Sequence, residues 1–247
     1  LGLVLGQIGF RVQVLEGGYK AFRSAMLGNM PQQVARLRFR VVCGPTGSGK
    51  TRLLRALDAT GAQVLDLEGL ASHRSSVLGM IPGRPQPSQK RFETLLWDRL
   101  RRLDASRPVF VEAESKKVGN LAVPQCLMDA MRESPCVLLQ MPDDERVHLL
   151  LEDYAFFAQD IEFFCHRLDA LTMLRSKAVV EGWKAQARAG RVEAVVRDLL
   201  RMHYDPGYAE STRRHFSRFA EAPVLDASDR SMQTMRTLAQ SLADGGD

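Results

Sequence analysis

The segment CGPTGSGKT, at residues 43–51, has the residue types and the spacing that bind phosphate groups. Its glycines let the backbone curl until successive N–H groups point toward an oxyanion. Lys50 would bring a positive charge to the outer phosphates, and the Thr51 hydroxyl would ligate a bridging Mg²⁺. The predicted phosphate-binding residues are Gly44, Thr46, Gly47, Ser48, Gly49, Lys50 and Thr51, and Thr51 is also the predicted metal ligand.

Acidic residues follow two further apolar segments. Glu112 comes after the apolar run 108–111, where a carboxylate can hold Mg²⁺ directly or through water, and Lys116 and Lys117 add positive charge for phosphate. Asp66 lies near the end of the run 62–67, where an acid can orient or deprotonate an acceptor hydroxyl. We therefore predict Lys50, Asp66 and Glu112 as catalytic residues. The alternative is the ordinary polarity of strand ends.

Other polar residues near these acids are weaker candidates. His73 and Arg74 could reach an anion, although a lone histidine is more often a bystander. The stretch 72–90 combines prolines with amides and cations, which is typical of a functional loop or of a plain surface loop. The further candidate site residues are Glu68, His73, Arg74, Gln86, Ser88, Gln89, Lys90, Glu114 and Ser115.

The positive charge of the chain is concentrated in one segment. The net charge is +5, and residues 175–218 hold ten lysines and arginines against five acids. Such a stripe indicates a nucleic-acid surface or a solvated helix face. In YDPGY, at residues 204–208, the tyrosines of a predicted tight turn could stack on bases or anchor a buried turn. The RNA-binding candidates are Arg188, Arg191, Arg197, Arg201, Tyr204, Tyr208, Arg213 and Arg214.

Alternating apolar segments and helical patterns must position these residues. We predict strands at 39–43, 62–67, 108–111, 136–141 and 222–226, and helices after the glycine-rich loop, at 91–103, over most of 143–202 and at 231–242. This order predicts an α/β fold, a P-loop NTPase-like parallel sheet flanked by helices with a helical extension. Ligands of such sheets bind beyond the carboxyl ends of the strands, where the candidate acids fall.

The first residues differ in character from the rest. Residues 1–9 suggest the end of a helix, residues 10–15 alternate like a strand, and residues 16–19 form a glycine turn. These pieces cannot bury a core alone, so we predict the end of a larger domain and its linker at 1–30. Residues 31–247 would form the phosphate-loop domain, with a helical insertion at about 143–220.

Composition excludes several classes of protein. No apolar run approaches the ~20 residues of a membrane span. The opening segment lacks the basic region and cleavage site of a secretory signal. The four cysteines form no C-x-x-C pair, which favours reduced thiols in a cytoplasmic protein and gives a zinc site no support.

Taken together, these motifs resemble those of bacterial tRNA 2-selenouridine synthases. The resemblance rests on GGYKAFR, GPTGSGKTRLL, DLEGLASHRSS, QPSQKRFE, VEAESKKVGN and YDPGY, in this order, and covers nearly the whole chain. It implies a transferase with a rhodanese-like domain followed by a phosphate-loop domain. One departure is HRSS at residues 73–76, where the family typically has HRGS.

The resemblance also implies a reaction at the wobble uridine of certain tRNAs. The sulfur of 2-thiouridine is geranylated from geranyl diphosphate, and selenium from selenophosphate then replaces it. A rhodanese-domain cysteine is thought to carry the selenium, and it would precede the helix that opens this chain. Cys43, Cys126, Cys136 and Cys165 do not match it. The remnant at residues 1–30 would then belong to the rhodanese-like domain, and the chain would be incomplete for the selenium step.

Our hypothesis is that residues 44–51 bind the pyrophosphate of geranyl diphosphate and stabilise it as it leaves, while Asp66 or Glu112 positions Mg²⁺. An apolar channel for the geranyl chain would involve Met80, Ile81, Phe92, Leu95 and Leu96. One alternative is a small-molecule kinase that uses ATP, with Asp66 as base. Another is a non-catalytic RNA-binding module. The choice between ATP and geranyl diphosphate, the identity of the tRNAs and the oligomeric state stay open.

Overall fold

The main sheet has five parallel strands. A computed structural model describes residues 2–74, 76 and 78–245. Its strands are β1 (Arg38–Cys43), β2 (Gln63–Leu65), β3 (Pro108–Glu112), β4 (Lys117–Val118), β5 (Leu121–Ala122), β6 (Cys136–Gln140) and β7 (Val224–Asp226). The sheet order is β2-β3-β1-β6-β7, and β4 and β5 form a separate antiparallel hairpin. The predicted α/β fold with a parallel sheet is confirmed.

Helices cover both faces of this sheet because its strands alternate their side chains. The helices here are α2 (Gly18–Ala35), α3 (Lys50–Ala59), α4 (Leu67–Ala71), α5 (Gln89–Arg102), α6 (Gln125–Glu133) and α13 (Met232–Asp244). Val41 and Val111 pack with α2, α5 and α6 on one face. Val42 and Phe110 pack with α3 and α13 on the other. Burial on both faces explains the nearly continuous apolar strands in the sequence.

The described residues between β6 and β7 contain helices and form a third cluster. These helices are α7 (Asp143–Asp153), α8 (Ala155–Gln159), α9 (Ile161–Leu168), α10 (Lys177–Arg188), α11 (Val192–Leu199) and α12 (Asp205–His215), with a π-helical turn at Leu200–Tyr204. Phe164, Trp183 and Val195 are buried together there, and Leu78 of the long loop joins them. This helical extension therefore has its own apolar core.

The first part of the chain differs from its prediction. The helix α1 (Gly2–Gln7) is present, but residues 10–15 form no strand, and Phe10 and Val14 are exposed. Gly17 adopts a left-handed φ of 70° and starts α2. The predicted boundary at residue 30 falls inside α2, whose Met26 and Met30 are buried in the body that follows. No helix in the described residues is long and apolar enough to cross a membrane.

Candidate phosphate-binding site

A cleft of about 730 Å³ opens at the carboxyl ends of β1 and β3. The glycine-rich loop forms its floor, and α7, α12 and the segment after β3 form its walls. The lining includes Thr46, Gly47, Ser48, Gly49, Lys50, Thr51, Glu68, Arg74, Glu112, Glu114, Ser115, Tyr204 and Tyr208. Half of the predicted site residues therefore meet in one cavity, at the edge of the sheet where parallel folds bind ligands, whereas Gly44 of the loop is not part of the lining.

The loop needs its glycines for shape and for space. Gly47 and Gly49 have φ values of 79° and 89°, which residues with a side chain rarely adopt. A Cβ on Gly49 would lie 2.8 Å from the Cε of Met235, a distance at which one of them must shift. Gly49 also precedes the first turn of α3, so the positive end of that helix faces the loop.

Lys50 folds back over the loop. Its Nζ donates to the carbonyl of Gly44 at 2.6 Å and to that of Pro45 at 3.3 Å. The same ammonium lies 6.0 Å from the ring centre of Tyr208, whose hydroxyl accepts a hydrogen bond from the Gly44 N–H. The charge of Lys50 is thus held against the carbonyls at the start of the loop.

Thr51, Glu68 and Glu112 form a connected line beside the loop. The Thr51 hydroxyl donates to Glu68 Oε2 at 3.0 Å, and the Glu68 N–H donates to Glu112 Oε1 at 2.8 Å. Burial raises the pKa of Glu112 well above its ordinary value, and the neighbouring charges of Glu114, Asp66 and Glu68 raise it further. Its Oε2 is buried without a hydrogen-bond partner among the described residues.

This donor set fits a hard cation such as Mg²⁺, which prefers a hydroxyl, carboxylates and phosphate oxygens. The uncompensated Oε2 of Glu112 is the observation that favours a cation or a water-held cation here. The described residues contain no cluster of three or more histidines, cysteines or acids that could hold a metal ion by itself. A Mg²⁺ ion would therefore depend on oxygens of the bound phosphate.

Asp66 has a different position from the one predicted. Its Oδ1 accepts the N–H of Gly69 at 2.7 Å and caps the N-terminus of α4, and Asp66 is not part of the cleft lining. Glu68, one turn into the same helix, takes the place beside Thr51. The start of α4 at Leu67 places Glu68 rather than the predicted catalytic Asp66 in the lining of the cleft.

Arg74 and His73 are adjacent in the chain but separate in role. Arg74 lines the cleft, donates to the Asp153 carbonyl and lies 4.4 Å from the ring centre of Tyr154. His73 is buried outside the lining, and its Nδ1 has no partner among the described residues. Burial lowers the pKa of His73 below its ordinary value.

The QPSQK stretch supports the site without entering it. Gln86 donates to the carbonyls of Ala71 and Val118 and accepts from the Asn120 N–H. Ser88 caps α5. Gln89 exchanges two 2.9 Å hydrogen bonds with Ala122. Lys90 is exposed. The amides that suggested substrate contacts therefore fasten the long loop and α5 to the β4–β5 hairpin.

Arg146 is a site residue that sequence reasoning missed. It is 4% exposed and donates from Nε and Nη2 to the Thr46 carbonyl, at 3.0 and 2.8 Å. Its other donors reach Asp205, at 2.6 and 3.1 Å, and Asp143 at 2.9 Å. Arg146 thus joins the glycine-rich loop to both ends of the helical extension. The only signal in the sequence was an arginine within an otherwise apolar and acidic helix.

The YDPGY motif forms the start of α12 rather than a tight turn, because Asp205 and Pro206 open the helix. Tyr208 contacts the loop as described above, and Tyr204 lies in the wall of the cleft. Burial raises the pKa of both tyrosines. Both rings line the cleft, the predicted tight turn is wrong, and stacking of the rings on bases stays a prediction.

The basic stripe lies outside the cleft, and part of its charge is paired with acids. Arg188 makes two 2.8 Å hydrogen bonds to Glu162, and Arg197 pairs with Asp144 at 2.6 Å and with Glu193 at 3.1 Å. The other predicted arginines, Arg191, Arg201, Arg213 and Arg214, are exposed. Of the eight RNA-binding candidates, only Tyr204 and Tyr208 line the cavity.

A small apolar pocket of about 50 Å³ opens beside the phosphate loop. It shares Thr46, Ser76, Leu150, Tyr154 and Tyr204 with the cleft. Its inner wall consists of Leu78, Phe157, Phe164, Val196, Leu199 and Leu200, from the core of the helical extension.

The predicted apolar channel was wrong. Phe92 and Leu96 are fully buried in the main core, Met80 is 40% exposed, and none of these three, nor Ile81 or Leu95, lines either cavity. These residues lie on or near α5, which covers the opposite face of the sheet from α3.

The four cysteines do not line the cleft. Cys43 and Cys136 are buried neighbours, and a hydrogen bond between their thiols, together with burial, raises the pKa of Cys43. Cys165 is buried and Cys126 is half-buried. Burial also raises the pKa of both of these thiols, so they have no thiolate character at neutral pH.

The comparison with known families agrees with the motifs. The model of the tRNA 2-selenouridine synthase AAA domain matches residues 37–170, more than half of the chain. The chain belongs to this family. The matched region contains the loop, the three acids Asp66, Glu68 and Glu112, and α7 with Arg146.

Curated relatives have the same name, tRNA 2-selenouridine synthase. The protein of Marinobacter nauticus is 38% identical over 148 residues, which cover 59% of this chain and 39% of the relative. The protein of Alcanivorax borkumensis is 35% identical over 191 residues (76% and 51%). That of Cupriavidus necator is 32% identical over 246 residues (88% and 64%). The chain thus spans about 39–64% of the length of these relatives.

Similarity to solved structures is weak. TT1252 from Thermus thermophilus is 18% identical, covers 84% of this chain and 97% of its own, and has a TM-score of 0.38. A sugar kinase from Janibacter is 16% identical, covers 84% and 95%, and has a TM-score of 0.30. The fold is therefore described from the strand order of the sheet and not from these structures.

Proposed function

We propose that this chain provides the prenyl-transfer site of tRNA 2-selenouridine synthesis. In this transferase reaction the sulfur of a wobble 2-thiouridine attacks C1 of geranyl diphosphate. The S–C bond forms, the C–O bond breaks, pyrophosphate leaves, and the N3 proton of the thiouridine is lost to solvent. The printed name of the relatives supports the tRNA substrate.

One observation supports geranyl diphosphate as the donor. A phosphate-binding loop and an apolar pocket share a wall formed by Thr46, Leu150, Tyr154 and Tyr204. A ligand that uses both must have a phosphate end next to an apolar end. Geranyl diphosphate has this shape, with its far carbons in the 50 Å³ pocket and the rest of the chain along the cleft. The base and ribose of ATP would not suit such a wall.

The residues of the loop would act on the leaving group. Negative charge builds on pyrophosphate as the C–O bond breaks, and fixed donors stabilise that charge without reorganising. Lys50 would move from the carbonyls of Gly44 and Pro45 to the leaving oxygens. Mg²⁺ held by Thr51 and Glu68, with Glu112 behind them, would neutralise further charge when bound.

The second stage is also part of the proposal. The selenium of selenophosphate would attack C2 of the S-geranylated uridine and geranyl thiol would leave. Water would then cleave the Se–P bond, which releases inorganic phosphate and 2-selenouridine. None of the four cysteines lines the cleft, and Cys43, Cys126 and Cys165 are held as thiols. We therefore assign the selenium carrier to none of them.

Titration calorimetry with Mg²⁺ tests the donor, with geranyl diphosphate, inorganic pyrophosphate and ATP as ligands. Lys50→Ala should abolish binding of all phosphate ligands. Val196→Phe, which fills the apolar pocket from α11, should weaken geranyl diphosphate at least tenfold and leave pyrophosphate unchanged. Val192→Phe, one turn earlier and outside the pocket, is the matched control and should change neither ligand.

Two results would contradict the proposal. One is tight binding of ATP with geranyl diphosphate no better than pyrophosphate, which would favour a nucleotide site. The other is normal geranyl transfer to a thiouridine-containing RNA by the Lys50→Ala variant, which would remove the loop from the chemistry.

A further inference from the structure

One rim of the cleft carries three uncompensated cations. Lys116 and Lys117 follow β3, and Arg132 ends α6; all three line the cavity. None of them takes part in an ion pair among the described residues, and the Nε of Arg132 is buried there without a hydrogen-bond partner. Both lysines are exposed. We call these three residues the basic rim.

Three other cations of the cleft have partners, whereas the exposed Arg55 forms no ion pair among the described residues. Arg52 pairs with Glu152 and Asp153, at 2.9 and 3.2 Å. Arg74 donates to a backbone carbonyl and stacks on Tyr154, and Lys50 is bound to the loop. Among the described residues, three of the four lining cations without such a partner therefore belong to the basic rim, and clustered charges of one sign attract oppositely charged ligands.

The basic rim is built on backbone that is held in place. The Lys116 carbonyl accepts the Val123 N–H at 3.0 Å, which closes the β4–β5 hairpin. The Arg132 carbonyl accepts from the N–H and the hydroxyl of Ser217, at 3.0 and 3.1 Å. The hairpin, the end of α6 and the segment after α12 therefore present these cations from fixed positions.

In the proposed reaction, part of the substrate RNA must pass the basic rim. The acceptor sulfur has to come within about 3–3.5 Å of the donor carbon, inside the cleft. The nucleotides on either side of the acceptor then leave through the open side, and each carries a phosphodiester charge. Exposed lysines suit such a flexible backbone, whereas a small phosphate ion is usually enclosed by amides or buried donors.

We infer that the basic rim binds the phosphodiester backbone of the substrate RNA, next to the nucleotide that enters the cleft. This inference rests on the proposed function for the RNA, and it moves the RNA surface from the basic stripe of the helical extension to the mouth of the cleft. The stripe is predicted to make little contact with RNA, because none of its cations lines the cleft and Arg188 and Arg197 are paired with carboxylates.

The salt dependence of RNA binding tests this surface. A labelled anticodon stem-loop RNA is titrated with the full chain by fluorescence anisotropy at 50–200 mM KCl. Each phosphate contact contributes about 0.7–0.9 to the slope of log K against log salt. The triple variant K116A/K117A/R132A should reduce that slope by about 2–3. The control variant R188A/R191A/R201A loses the same charge and should leave the slope within about 0.5 of the parent.

Folding and donor binding are measured on the same samples. The double variant K116A/K117A removes only exposed side chains and should still reduce the slope by about 1.5. Pyrophosphate binding should be unchanged in both rim variants. If pyrophosphate fails to bind even the parent chain while the rim variants reduce the slope, the proposed donor site is wrong and the basic rim stands.

Three outcomes would contradict the inference that the basic rim binds RNA. An equal loss of slope in rim and stripe variants would mean a non-specific charge effect. A loss only in the stripe variant would place the RNA on the helical extension. An unchanged slope with lost binding of inorganic phosphate in the rim variants would assign the rim to a small anion.

Discussion

At the residue scale, the two acids of DLEG show how one residue position separates structure from chemistry. Asp66 is the last residue before α4, and its carboxylate accepts a hydrogen bond from the Gly69 N–H. Glu68 lies in the first turn and reaches Thr51. Both were candidates by residue type, and only the start of the helix distinguishes them. Substitution of Glu68 should therefore affect ligand binding, and substitution of Asp66 should affect stability.

Glu68→Ala should weaken Mg²⁺-dependent pyrophosphate binding by about 10–100-fold, because the Thr51 hydroxyl loses the group that orients it. Asp66→Ala should cost about 1 kcal/mol of unfolding free energy through loss of a cap and should leave binding unchanged. Calorimetry and urea unfolding of both variants give the comparison. Weaker binding in Asp66→Ala alone would restore Asp66 as the metal-positioning acid.

At the element scale, α7, α12 and the glycine-rich loop are joined by a single buried side chain. Arg146 comes from α7, Asp205 starts α12, and the Thr46 carbonyl belongs to the loop. Gly47 approaches the backbone of the same arginine, since an added Cβ would lie 3.1 Å from its carbonyl. The helical extension therefore supports the shape of the loop.

Arg146→Met should reduce the unfolding free energy by about 2–3 kcal/mol, because the Thr46 carbonyl and the half-buried Asp205 carboxylate lose their buried donor. Arg197→Met is a matched control, since Arg197 also bridges two carboxylates but at the surface, and it should cost less than about 1 kcal/mol. Urea unfolding measures both. Equal costs would mean that Arg146 has no special role in holding the loop.

At the scale of the whole molecule, the sheet body begins with α2. Arg23 pairs with Glu93 of α5, and Trp97 donates to Asn29 at 3.1 Å. Met26 and Met30 are 1% and 2% exposed. The segment before α2 contrasts with this, because Leu3, Ile8 and Val14 are mostly exposed. The assignment of that segment to a rhodanese-like domain stays a prediction.

A chain that starts at Gly17 should keep the unfolding midpoint and the pyrophosphate affinity of the parent, because none of the described side chains that it loses is fully buried. A chain that starts at residue 31 loses both buried methionines. Since truncating one buried methionine costs about 2–5 kcal/mol, this chain should be largely unfolded at 25 °C. Circular dichroism and calorimetry distinguish them. If the two shortened chains were equally stable, the domain boundary would lie at residue 30, as predicted from the sequence.

The sequence by itself determined the features that depend on neighbouring residues. The glycine-rich loop, its flanking strand and helix, and the α/β order of elements all follow from local backbone preferences and short-range periodicity. The placement of acids at strand ends also brought Glu112 and Glu114 to the cleft, because parallel strands end at one edge. The family motifs rest on the same contiguous stretches.

Only the tertiary structure decided which side chains meet across long separations. Arg146 reaches a carbonyl 100 residues away, and the apolar pocket joins Leu78, Phe164 and Val196 from separate segments. The packing also pairs Arg188 with Glu162 and Arg197 with Asp144, whereas the three cations of the basic rim have no ion pair among the described residues. Such pairings depend on how helices pack on the sheet and on one another, which no short stretch of sequence encodes.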